Sequence, residues 1–174
     1  NWYAVLGTGA LAFLAVCHIV YAFILTAQNR RARGDERYAV TDRRPEVSWA
    51  SQNMLVLGLI ILIGLVLHLY NFWGHMMFAD LAGIDVTPSP TDGFGWIQQT
   101  FSNPVFSILY LIWICAIWFH LSHGFWSAMQ TLGWSGKIWL KRWQCIGLVY
   151  VTILMGVFAF LVLSFWLGFA PSMC

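Results

Sequence analysis

Four long apolar runs, none of them containing Asp, Glu, Lys or Arg, dominate this chain. They extend from about Trp2 to Ala27, Met54 to Trp73, Pro104 to Met129 and Trp143 to Phe169. At about 20 residues or more, each can cross a ~30 Å hydrocarbon core as a helix. With 60% of its residues hydrophobic and 9% charged, a soluble domain of this size could not keep its apolar surface from water. The expected fold is therefore an all-α integral membrane bundle, a single membrane domain with four transmembrane helices. Their expected bounds are about 2–27, 49–74, 104–131 and 143–169. Pro104 suits a first helical turn, where its missing N–H leaves nothing unsatisfied.

The charges assign an orientation. All nine basic residues fall in two segments: Arg30, Arg31, Arg33, Arg37, Arg43 and Arg44 after the first helix, and Lys137, Lys141 and Arg142 after the third. The segment from about Gly74 to Asn103 has no Lys or Arg but carries Asp80, Asp85 and Asp92. By the positive-inside rule the two basic loops are cytoplasmic and both ends of this chain face outward. Trp2, Tyr3, Trp49, Tyr70, Trp73, Trp96, Trp134, Trp139 and Trp143 crowd the span ends, as an interfacial aromatic belt requires. The outer segment, with Thr87-Pro88-Ser89-Pro90 and Asp92-Gly93, reads as turns. Cys17, Cys115 and Cys145 lie in or beside apolar runs, where a thiol behaves as a small hydrophobe, and no disulfide framework is read.

An ionisable side chain inside a membrane span is costly and marks a candidate functional site. His18, His68 and His120 are three such residues. His18 lies 12 residues before Arg30, about 18 Å at the helical rise, and His120 lies about 20 Å before the turn at Gly133. Both helices run inward, so the two imidazoles share a level. His68, on a helix running outward, lies about 30 Å from the boundary near Ser48, roughly 10 Å further out than the pair. Two imidazoles at one level among apolar residues suit an iron porphyrin, which needs only two axial nitrogens, better than zinc, which wants four close ligands. His123, one turn beyond His120, points about 60° away and cannot bind the same iron face; a hydrogen bond to a neighbouring group is its expected role. His75 is read past the end of the second helix, at the outer interface, where it is either solvated or in contact with a quinone.

The run His120-Leu121-Ser122-His123-Gly124-Phe125-Trp126-Ser127-Ala128-Met129-Gln130-Thr131-Leu132-Gly133-Trp134 resembles a signature of the cytochrome b subunit of succinate dehydrogenase/fumarate reductase, the type with one large membrane subunit and two haems b. Cys17-His18-Ile19-Val20-Tyr21-Ala22-Phe23, Trp49-Ala50-Ser51-Gln52-Asn53-Met54 and Leu67-His68-Leu69-Tyr70 extend the resemblance through all four helices in order. That family has five helices with histidine ligands on the first four. The chain, which opens on Asn1 without Met, is similar to helices two to five.

The resemblance implies that His18 and His120 ligate a proximal haem on the cytoplasmic side, and that His68 ligates a distal, outer haem. The distal partner ligand would stand on the family's first helix. Some family members place a Glu, linked to proton transfer across the membrane, two residues before the fourth-helix ligand; that position is Trp118 here. Trp49, Ser51, Gln52 and Ser127, with His123, complete the candidate cofactor-binding set, at the level where haem propionates would seek donors.

The family's partners are a flavoprotein carrying FAD, where succinate and fumarate react, and an iron–sulfur protein, both on the cytoplasmic face, with menaquinone as the membrane carrier. The chain itself then holds no catalytic residue, and no nucleic-acid partner is expected. The expected location is a bacterial inner membrane. Competing readings are the cytochrome b of a hydrogenase or formate dehydrogenase, and a haem-free anchor or transporter. A transporter would need intramembrane carboxylates or broken helices, which these runs lack.

Overall fold

A computed structural model describes residues 2–34 and 48–169. It divides into two units, Asn1–Val47 and Ser48–Cys174. Helices are the only regular elements among the described residues, and four of them are long and apolar enough to span a membrane. The chain is a multi-pass, all-α membrane protein.

Among the described residues the first unit is one helix, α1 (Trp2–Arg33), with no buried side chain. It runs six residues beyond the expected Ala27. Arg30, Arg31 and Arg33 occupy its last turn, where positive charge complements the helix dipole. The arithmetic from His18 to Arg30 therefore runs along unbroken helix. Arg37, Arg43 and Arg44 lie outside the described residues, as does Cys174.

The second unit opens with a short helix, α2 (Trp49–Gln52), capped by Ser48, whose hydroxyl accepts the Ser51 N–H at 3.2 Å. A step at Asn53 leads into α3 (Met54–His68). That helix does not end near Trp73. It continues as a π-helical stretch, Leu69–Phe78, and closes with α4 (Ala79–Ala82), so one span covers Met54–Ala82. The segment between α4 and the next long helix holds a helix where turns alone were expected: α5 (Gly93–Phe101), whose cap Asp92 accepts the Gly95 N–H at 2.9 Å. Its core-facing residues Trp96, Thr100 and Phe101 are buried, and Phe94 meets Phe165 edge-on at 5.4 Å. Membrane-spanning α6 (Pro104–Thr131) starts from Asn103, whose side chain accepts the Val105 N–H, with Pro104 in the first turn as expected. The buried Ser107 hydroxyl donates to the Phe101 carbonyl at 2.8 Å and ties α5 to α6. After α6, Gly133 takes φ +77° and reverses the chain. The last helix, α7 (Trp139–Trp166), begins four residues earlier than expected. Its first turn carries Arg142 over the face of Trp139 at 5.0 Å, and Trp143 donates to the Trp134 carbonyl at 2.9 Å.

Within the second unit α6 is the central helix: it packs most extensively on α7 and next on α3. Lipid tails are as apolar as Leu, so these seams hold by close packing and interhelical hydrogen bonds rather than by hiding apolar surface from water. Two glycines let the helices interlock. A methyl at Gly64 would overlap the Trp113 indole, and one at Gly147 would overlap the Phe125 ring. The main core unites Phe101, Tyr110, Ile114, Val151, Met155 and Val162; a smaller cluster joins Ala50, Leu57 and Ala116.

Candidate functional site

Helices α3 and α6 run antiparallel, and three contacts give their register. Gly58 lies beside His120, whose Cε1 would stand 4.0 Å from a Cβ added there. Trp113 donates its indole N–H to the Ile61 carbonyl at 3.0 Å. His68 meets Tyr110 edge-on at 6.1 Å. His68 is thus level with Tyr110, ten residues before His120, which puts the two imidazoles about 15 Å apart along α6. They share the α3–α6 seam but occupy two levels, a somewhat wider step than the roughly 10 Å read from loop boundaries. One bare ion could not take both as ligands. Among the described residues no group of three or more His, Cys, Asp or Glu side chains converges.

His68 stands on the wall of an apolar cavity of about 400 Å³. Ile97 and Phe101 of α5, Trp113 and Ile117 of α6, and Met155 and Leu161 of α7 form other parts of the wall. The volume lies within the range of small-molecule and cofactor pockets. Three rings surround the imidazole: Phe72 at 5.2 Å, Trp113 at 5.5 Å with an interplanar angle of 33°, and Tyr110. His68 Nδ1 is buried and meets no hydrogen-bond partner among the described residues. The hydrogen bond expected to fix a ligating imidazole is therefore not made by this nitrogen there. An imidazole on an apolar, ring-lined wall fits a haem, which brings four equatorial nitrogens and asks the protein for axial ligands and an apolar shell.

At the other level, His120 faces the gap left by Gly58. Its α6 neighbour Phe119 meets Trp49 edge-on at 5.2 Å, so α2 reaches the level of His120 through that long side chain. Ser51 is half-buried and Gln52 exposed. Ser127, seven residues beyond His120 on α6, lies about 10 Å further toward the basic end; its carbonyl accepts the Thr131 hydroxyl at 3.0 Å. His123 packs edge-on against Trp126 at 4.8 Å, and its buried Nδ1 has no hydrogen-bond partner among the described residues. His18 stands on α1, in the first unit. Its pairing with His120 is an expectation from the sequence spacing.

One polar position that the sequence reading passed over belongs to this seam. Asn71, buried in the π-helical stretch, donates its amide to the Tyr110 hydroxyl at 3.4 Å. A lone amide inside an apolar run was the signal available. Trp118, singled out in the sequence, donates to the Thr152 hydroxyl at 2.9 Å and thus faces α7. His75 is not past the helix end but inside the π-helical stretch. Its Nδ1 donates to the Tyr70 carbonyl at 2.7 Å, and its ring lies 4.7 Å from Trp96. Five-residue spacing is the π-helical step, so the wider winding and this side-chain bond go together. Cys17, Cys115 and Cys145 are free thiols. No protein-family model, curated protein or solved structure matches the chain.

Proposed function

We propose that this chain is a haem b membrane anchor of a succinate:quinone or quinol:fumarate oxidoreductase, passing electrons between an iron–sulfur partner and a membrane quinone. The observation that carries the reading is the placement of His68 and His120 on one seam at two levels, with His68 on the wall of an apolar cavity. Two one-electron centres at such levels would divide the bilayer into steps. A bound haem supplies the electron chemistry; the protein supplies ligands, spacing and an apolar shell.

In this reading His120 pairs with His18 for the proximal haem, because both lie about 18–20 Å from the basic ends of their helices. His68 holds the distal haem, with a second ligand from outside the four helices. Trp49, Ser51, Gln52, Ser127 and His123 supply the polar surroundings on the proximal side. The basic segments face the cytoplasm of a bacterial cell, where the flavoprotein and iron–sulfur subunits dock, with Trp134 and Trp139 as aromatic anchors inside a charged rim.

A reduced-minus-oxidised optical spectrum of the purified protein, with a haem count, is the direct test. Low-spin haem b that succinate reduces in membranes is expected. A protein free of haem would overturn the reading. Haem reduced by hydrogen or formate but not by succinate would transfer it to a hydrogenase or formate dehydrogenase.

A further inference from the structure

We propose that Trp113 sets the plane of the His68 imidazole, and that residue 64 is glycine so that Trp113 can do so. The inference rests on the reading of His68 as a haem ligand and deepens it.

A ligating histidine is usually oriented by a hydrogen bond from its second ring nitrogen. His68 Nδ1 has no such partner among the described residues, although it is buried. The ring must then be held by what surrounds it. Phe72 is on the same helical span, four residues further on, and can follow any movement of His68. Tyr110 touches the ring edge-on and is itself engaged by Asn71. Trp113 is different in three respects. It meets the imidazole at 33°, the flattest of the three contacts. It is anchored to the backbone of the helix that carries His68, through its indole N–H and the Ile61 carbonyl at 3.0 Å. It also occupies the space that any Cβ at Gly64 would fill, one helical turn before His68. An indole bonded to the helix and seated one turn from the ligand restricts rotation of the imidazole about its own side-chain bonds. Trp113 also forms part of the cavity wall, so the same indole limits where a macrocycle can lie.

The angle between two axial imidazole planes governs the g-anisotropy of a low-spin ferric haem, so electron paramagnetic resonance reads ligand orientation directly. The experiment uses the full chain in its membrane with its partner subunits. His68→Ala should remove one of two low-spin signals; if both remain, His68 is not a ligand and the reading and the inference fall together. With that signal assigned, Trp113→Phe, which keeps a ring but loses the N–H, should shift its g-values. The other signal should stay in place. Haem retention at that site should weaken by roughly 10-fold, the lower end of the range for loss of an orienting partner. Gly64→Ala, which expels the indole without touching its chemistry, should give the same shift. Unchanged g-values in both variants, with His68 still required for the signal, would overturn the inference and leave the haem assignment standing. Equal disturbance of both signals would also overturn it, since that marks general loss of packing.

Discussion

The Trp118 indole N–H meets the Thr152 hydroxyl at 2.9 Å, joining the two most extensively packed helices, α6 and α7, near the middle of both. Trp118 stands where some members of the family that the sequence resembles carry a glutamate. A tryptophan committed to α7 cannot relay protons there. Thr152→Val should remove the acceptor and cost about 0.6 kcal/mol, the average for interhelical hydrogen bonds in membranes, with ~1.7 kcal/mol as an upper bound. Reversible unfolding in mixed detergent micelles measures it; a loss well beyond that bound would mean the hydroxyl has further partners.

The Gly147–Phe125 contact should behave as a lock. A Cβ at residue 147 would overlap the Phe125 ring, and overpacking of this kind costs typically ~1–3 kcal/mol. Gly147→Ala is expected to destabilise by that amount, and Phe125→Leu in the same chain to recover part of it. Additive losses in the double variant would show that the two residues do not meet.

Asn71 and Tyr110 offer a test of buried polarity. Tyr110→Phe strands the Asn71 amide, at a cost of about 1–3 kcal/mol for an unsatisfied buried group, whereas replacing both partners by apolar residues can be nearly neutral. The double variant Asn71→Leu with Tyr110→Phe should therefore be more stable than Tyr110→Phe alone. A double variant that is less stable than either single change would refute this account of the pair.

Haem content should separate the two levels. His18→Ala and His120→Ala are each expected to abolish the same haem signal and spare the one that depends on His68. If His18→Ala and His120→Ala removed different signals, the pairing by depth would be wrong. The measurement is a haem count with redox titration on each variant.

Orientation can be read from labelling. With the basic ends inside, a cysteine placed at Lys137 should react with a membrane-impermeant maleimide only after the cytoplasmic face is opened, and one at Asp85 should react in intact cells. The reverse pattern would invert the topology and move partner docking to the other face.

Much of the architecture was written in one-dimensional terms. Four spans follow from charge-free apolar runs, because the bilayer penalises every exposed backbone group and each buried charge. The Asn103-Pro104 start of α6 and the reversal at Gly133 follow from local capping chemistry. That His68 and His120 stand at different levels follows from the helical rise, although the step along α6 is about 15 Å where the loop boundaries gave roughly 10 Å. Even α5 left a trace, in Asp92 followed by Phe94, Ile97 and Phe101 at helical spacing. It was masked by the Pro-rich turns before it.

What only the tertiary structure decided is which faces meet. A helix apolar on all sides has no periodic stripe to declare its inner face. Nothing in the runs themselves therefore said that Gly58 would face His120, that Gly64 would admit Trp113, or that Trp118 would turn to α7. Those choices depend on interlocking shapes: small residues on one helix open space for large rings on another, and the hydrogen bonds form only once that fit is made. The winding of residues 69–78 is of the same kind. Its local sequence is compatible with an ordinary α-helix, and the wider π turns go with Asn71 reaching Tyr110 and with His75 bonding to Tyr70 and lying against Trp96. Spans and depths are properties of a chain against a slab of hydrocarbon, whereas register and facing are properties of one surface against another.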